Sequence, residues 1–346
     1  MNTDTQKNSF RLTQLSQGGG CGCKIAPAVL EQILQKSGDE KIFPELLVGY
    51  EHADDAAVYE MSDGNCIIST VDFFTPVVDD PYDYGRIASA NALSDVYAMG
   101  GKPLIALAVL GFPVEKLSLG AAKEMIRGAK SVCEMADIPL AGGHSINISE
   151  PVFGLSLTGI VSKDNICRNH TAKSGDLIFL TKALGTGIIS TAIRKGKASD
   201  QDVELAVLQM TQLNNIGSVL AEKKLVSSMT DVTGFGLLGH LIEMCDGSGL
   251  SAELYYKKVP LLPGLDKFIS SFVFPDNTYR NWNAFENKVQ GVNGPEFITL
   301  CDPQSSGGLL FAVSPHKIED LKKVIPDIGE PIGQFTSRKG VLVSVQ

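Results

Sequence analysis

The chain has 346 residues, with 30 Lys and Arg against 39 Asp and Glu for a formal charge of −9, and 44% of them are hydrophobic. That length predicts about two domains, each able to bury a core. The acidic balance argues against a nucleic-acid partner, and no apolar run reaches the ~18 residues that would span a bilayer, so a cytoplasmic globular protein is expected.

The first 20 residues are polar, lack the apolar stretch of a secretion signal and end in three glycines, which predicts a mobile arm. A helix is expected after Pro27, with Val29, Leu30, Ile33 and Leu34 as its apolar stripe. A strand over 66–71 ends in Asp72. Asp80-Pro81 then opens a helix over 82–99, rich in Ala and Ser and stopped by Gly100-Gly101. A strand over 104–110, a helix over 117–135 and a short strand over 138–141 lead into Gly142-Gly143-His144-Ser145, read as a turn. A strand over 152–161 closes the first half, and the unpatterned stretch 162–174 is placed as the domain boundary.

The second half repeats the grammar. Strands are expected over 177–180, 252–256, 297–300, 309–313 and 341–345, and helices after Gly185-Thr186-Gly187 and over 203–222, 237–244 and 318–324. Residues 272–294, with the only Trp (Trp282), read as a long loop. Mixed α/β architecture is expected in both halves, as an arm over 1–24 and domains over 25–163 and 174–346. Seven scattered cysteines predict free thiols.

Two kinds of residue carry chemistry. Gly18-Gly19-Gly20-Cys21-Gly22-Cys23-Lys24 fails the phosphate-loop pattern, because Cys23 and Ile25 flank the lysine. It remains a strip with two thiols beside a cation, the setting that makes a cysteine reactive, although an inert tail explains it as well. The acidic residues Asp54, Asp55, Asp72, Asp95 and Asp231 stand at loop edges or among apolar neighbours, where an uncompensated carboxylate costs several kcal/mol. Helix capping accounts for any one of them. Five together point to a shared hard cation, Mg²⁺, and through it to a polyphosphate. Gly-containing turns at 142–144, 233–236 and 305–308 could bring backbone N–H groups to phosphate. His240, on an apolar helix, is expected in the core.

These residues carry a resemblance. GCGCK (20–24), DDAAVY (54–59), STVDFF (69–74), NALSDVYAMGGKP (91–103), AGGHS (141–145), FGLSLTGIV (153–161), MTDVTGFGLLGHL (229–241) and CDPQSSGGLL (301–310) closely resemble the selenophosphate synthetases, or selenide, water dikinases. The resemblance implies a two-domain aminoimidazole ribonucleotide synthetase-like fold and a homodimer joined through its N-terminal sheets. It implies synthesis of selenophosphate, AMP and phosphate from ATP, selenide and water. Cys21 and Lys24 fall on the family's catalytic positions, and Asp55, Asp95 and Asp231 on its magnesium ligands. Lys24, His52, Ala53, Asp54, Asp72, Asp95, Gly142, Gly143, His144 and Ser145 fall on or beside nucleotide contacts. A transient selenium-delivery protein is a further partner to consider. A related thiamine-monophosphate kinase or hydrogenase-maturation dehydratase would share the carboxylates but lacks the GCGCK strip, and a mere selenium or metal carrier would leave the aspartates unexplained.

Overall fold

The computed structural model describes residues 11–16, 18–20, 33, 42–49 and 54–346. The helix expected after Pro27 falls outside these, apart from residue 33.

A six-stranded sheet forms the first half. Its strands are β1 (Leu46–Val48), β2 (Ala57–Glu60), β3 (Asn65–Phe74), β4 (Lys102–Gly111), β5 (Leu140–Ile146) and β6 (Val152–Ser162), in the order β1-β2-β3-β6-β4-β5. Among the described residues of this sheet only β4 and β5 run parallel. Alternation along the strands divides the faces. Cys66, Ile68, Ala106, Phe153, Leu155 and Leu157 point into the core, while Val71, Phe73, Ile105 and Leu107 stand exposed on the other side.

Helices α1 (Pro81–Ala98) and α2 (Leu119–Met135) lie together, with α1 packed on β3 and β6. Asp80 caps α1 by accepting the Asp83 N–H at 2.9 Å, and Pro81 occupies the first turn, where no N–H partner is lost. The small residues expected to pack closely do so: a Cβ on Gly85 would lie 2.0 Å from the Met125 carbonyl oxygen, and one on Gly128 2.0 Å from that of Tyr82. The two helices therefore touch backbone to backbone.

The second half holds a seven-stranded sheet. In chain order its strands are β7 (Leu177–Leu180), β8 (Ser228–Asp231), β9 (Leu250–Leu254), β10 (Val289–Gln290), β11 (Leu309–Val313), β12 (Gly333–Ser337) and β13 (Val343–Val345). They are arranged β10-β13-β9-β12-β7-β11-β8. The helix Gly236–Gly247 covers one face through Leu237, Leu241 and Met244. Leu220, Ala221 and Leu321 cover the other, against Phe179, Met229 and Phe311. Helix α1 also reaches β8, so its buried surface serves both halves.

Five expectations are corrected. The helix over 203–222 is two, Asp200–Met210 and Ile216–Glu222. Between them Gln212 O accepts Lys182 Nζ, which takes a carbonyl that helix continuation would use, and Asn214 Nδ2 donates to Ser94 Oγ and Gly307 O. The strand expected over 297–300 is the short helix Glu296–Leu300, because an apolar run that brief fits either period. The loop over 272–294 contains the helix Asp276–Phe285, with Thr278, Asn281 and Phe285 buried at helical spacing. Gly142 to Ser145 form most of the edge strand β5, and Asp72 lies inside β3 rather than at its end. Gly142 and Gly143, at φ 151° and 152°, adopt a stretched backbone that only glycine takes easily, and a Cβ on Gly143 would strike the Ala108 oxygen at 2.1 Å.

Candidate active site

Asp54, Asp55, Asp72, Asp95 and Asp231 line one cavity of about 320 Å³ between the two halves, with Thr70, Thr233, His240 and Glu243. The convergence follows from the elements. Asp54 and Asp55 precede β2, Asp72 shares a face of β3 with Thr70, Asp95 ends the last turn but one of α1, and Asp231 closes β8. Among the described residues no Lys or Arg lines the cavity.

Hydroxyl and amide donors hold these carboxylates. Thr70 Oγ1 donates to Asp95 Oδ2 at 2.6 Å, and Thr230 Oγ1 to Asp55 Oδ1 at 2.8 Å. Asn91, four residues before Asp95 on the same helix face, donates through Nδ2 to Asp72 Oδ2 at 2.8 Å. Asp54 accepts the Asn169 N–H at 2.9 Å and faces His170 Nδ1 at 3.5 Å, which ties the segment between the two sheets to the cavity rim.

Asp55 is the most compromised of the set. The residue as a whole is partly exposed, yet its Oδ2 is shut off from solvent and has no hydrogen-bond partner among the described residues. Burial, then the neighbouring Asp231 and Asp95 charges, push its carboxyl well above the usual range, with only the Thr230 bond among the main influences opposing them. Behind the wall, Lys182 is buried and donates to Gln212 O at 2.7 Å and Ser306 O at 2.9 Å. Burial lowers its ammonium to about 7 against the pull of Asp231.

His240 is buried, as its apolar helix suggests, and also forms part of the cavity wall. Its Nε2 accepts the Thr233 N–H at 3.1 Å and its Nδ1 lies 3.2 Å from Glu243 Oε2, so it fixes the loop after Asp231. Asn91, Thr70, Thr230 and Glu243 escaped sequence reasoning. The four-residue step from Asn91 to Asp95 was a signal available for the first; the others needed the strands and helices in register.

Gly142, Gly143, His144 and Ser145 are exposed on β5, with β6 and β4 between them and β3, and do not line the cavity. The glycine turn expected there is strand because its residues pair with Ala108 to Leu110 of β4. Cys21, Lys24, His52 and Ala53 lie outside the described residues. The arm's root is described, however: Gly20 N donates to Thr75 O at 3.1 Å and Thr75 Oγ1 to Gly18 O at 2.9 Å. Three strand steps, roughly 10 Å, separate Thr75 from Asp72.

Residues 53–161 match the family described as AIR synthase related protein, N-terminal domain, and residues 173–346 its C-terminal domain. A selenide, water dikinase of Pseudomonas putida is 50% identical over 339 residues, 97% of this chain and 98% of that protein. One of Sulfurovum sp. is 47% identical over 341 residues, 98% and 99% of the two chains. Among solved structures, thiamine monophosphate kinase from Aquifex aeolicus superposes with a TM-score of 0.65 at 19% identity, covering 92% of this chain and 95% of that one. A HypE–HypF complex gives 0.65 at 18%, covering 92% and 96%. At those identities the likeness is one of fold.

Proposed function

Because the chain belongs to the selenide, water dikinase family, we propose that its carboxylate cavity is the seat of that family's reaction, in which ATP, selenide and water give selenophosphate, AMP and orthophosphate. The observation that carries this is the convergence of five aspartates from both halves on one cavity without a basic residue among the described lining. A triphosphate would be repelled there unless divalent cations stood between.

Asp55, Asp95 and Asp231 fit that need: an enclosed, unpartnered Asp55 oxygen among like charges is a donor waiting for a cation. Among the described residues no three His, Cys, Asp or Glu side chains form a ready-made metal cage. Mg²⁺ takes part of its oxygen shell from phosphate and water. Held by these three residues, it would supply the positive charge that phosphoryl transfer requires.

The chain's own residues do the rest. Thr70 and Thr230 orient Asp95 and Asp55, and Asp54, Asp72, His52 and Ala53 are proposed to contact the nucleotide. Gly142, Gly143, His144 and Ser145 join them in this reading, from the sheet edge. Lys24, a few residues beyond an arm root bonded at Thr75, adds a cation where negative charge develops, and Cys21 is the thiol that meets selenium. The arm over 1–24 would close on the cavity and exclude water until the second hydrolysis. The domains over 25–163 and 174–346 supply its two walls.

The exposed apolar face of the first sheet supports a homodimer, with Val71, Phe73 and Leu107 meeting a second copy. The five described cysteines are free thiols, in keeping with a reducing cytoplasm where selenide also survives. A selenium-delivery protein would act at the arm. The test is AMP formation from ATP with and without selenide. AMP appearing only with selenide is expected; ADP as the final product, or equal turnover without selenide, would overturn the reading.

A further inference from the structure

Asn91 is fully buried and bonded on both sides of its amide. Its Nδ2 donates to Asp72 Oδ2 at 2.8 Å, and its Oδ1 accepts the Ser306 N–H at 2.7 Å. The orientation is fixed by chemistry, since the Ser306 backbone N–H only donates and so must face the amide oxygen. Ser306 is itself constrained. It lies at φ 49°, in the left-handed region that a residue with a Cβ enters at a cost, and its carbonyl oxygen accepts Lys182 Nζ at 2.9 Å.

The neighbouring Ser305 meets the arm. Gly20 sits at φ 61°, and a Cβ there would lie 2.2 Å from Ser305 Oγ and 2.5 Å from Val77 Cγ1. The turn at 305–306 thus touches the arm root with one residue and, through Asn91, grips Asp72 with the next. Four segments distant in sequence form one contiguous path from Gly20 to Asp72.

We propose that Asn91 is a positioning residue that couples the docking of the arm root to the placement of Asp72, through the Ser305–Ser306 turn. The proposal rests on the reading of the cavity as the nucleotide site. It makes the arm's seat and the nucleotide's seat two ends of one contiguous path of contacts, so that displacing either loosens the other.

A double-mutant cycle on the full-length protein tests it, with a non-hydrolysable ATP analogue and Mg²⁺ titrated calorimetrically. Asn91→Ala is expected to weaken binding about tenfold, and to raise KM for ATP more than it lowers kcat. Gly20→Ala, which touches no cavity-lining residue, is expected to weaken binding several-fold in the wild-type background and to add nothing in the Asn91→Ala background. Unchanged binding by Asn91→Ala, or effects of the two substitutions that simply multiply, would overturn the coupling. Should Asn91→Ala fail to fold, Asn91→Asp keeps the shape and the acceptor for Ser306 but sets a carboxylate against Asp72. It is expected to weaken binding at least tenfold, and wild-type binding by it would equally overturn the proposal. The cycle is read without selenide, so its failure beside intact selenide-dependent AMP formation would fall on the coupling alone.

Discussion

In the proposed site, Asp55 would be held at the expense of the empty fold. Its enclosed oxygen and like-charged neighbours oppose folding, and the same features would draw in a cation. Asp55→Asn is therefore expected to raise the stability of the nucleotide-free, metal-free protein by about 1 kcal/mol, while lowering turnover by ~100-fold or more. Thermal melts beside the AMP assay check both, and Mg²⁺ with nucleotide should raise the melting temperature of wild type more than that of the variant.

Asp302 is a second buried carboxyl, far from any cation in its hydrogen-bond circle: it accepts the Gly187 N–H at 3.1 Å and Gln304 Nε2 at 2.7 Å. Burial raises it from 3.8 to about 8. Between those values the folded chain keeps a proton that the unfolded chain releases, so this contribution to stability is full below pH 3.8 and declines as pH rises towards 8. Asp302→Asn, which cannot ionise, is expected to flatten the fall in melting temperature between pH 5 and 8. An identical slope in wild type and variant would contradict the assignment.

At the level of elements, the crossing of α1 and α2 depends on two glycines at backbone contact. Gly128→Ala is expected to force the helices apart and cost about 2 kcal/mol, measured by urea unfolding. This crossing was legible in the Ala-rich and Ser-rich run of α1, as were its Asp80 cap and the strands over 66–71 and 152–161, because local pattern and tertiary packing agree there. The helix Asp276–Phe285 was not legible. Its polar composition hides a buried stripe of three, Thr278, Asn281 and Phe285, and Asn281 is buried because it bridges Gly234 O and Cys301 O. The five aspartates stood out through their odd neighbourhoods, whereas Thr230 acquires meaning only from Asp55, far away in the chain.

On the scale of the molecule, one side of the first sheet carries Val71, Phe73, Ile105 and Leu107 into solvent in the isolated chain, at 37–56% exposure. A single protomer rarely leaves such a patch open. Leu107→Glu combined with Val71→Glu is expected to yield a monomer by light scattering, whereas an unchanged mass would refute pairing through this face. The two substitutions lie away from the buried face of the sheet, so folding should survive them.

Strand β8 has a single partner in its sheet, β11, and Asp231 stands at the end of that ladder opposite Leu309. During synthesis, Asp231 has no ladder to join until the stretch 309–313 has been made, and Asp55, which accepts the Thr230 hydroxyl of the same strand, waits with it. The cavity's carboxylate wall is therefore complete only when both halves of the chain have been made.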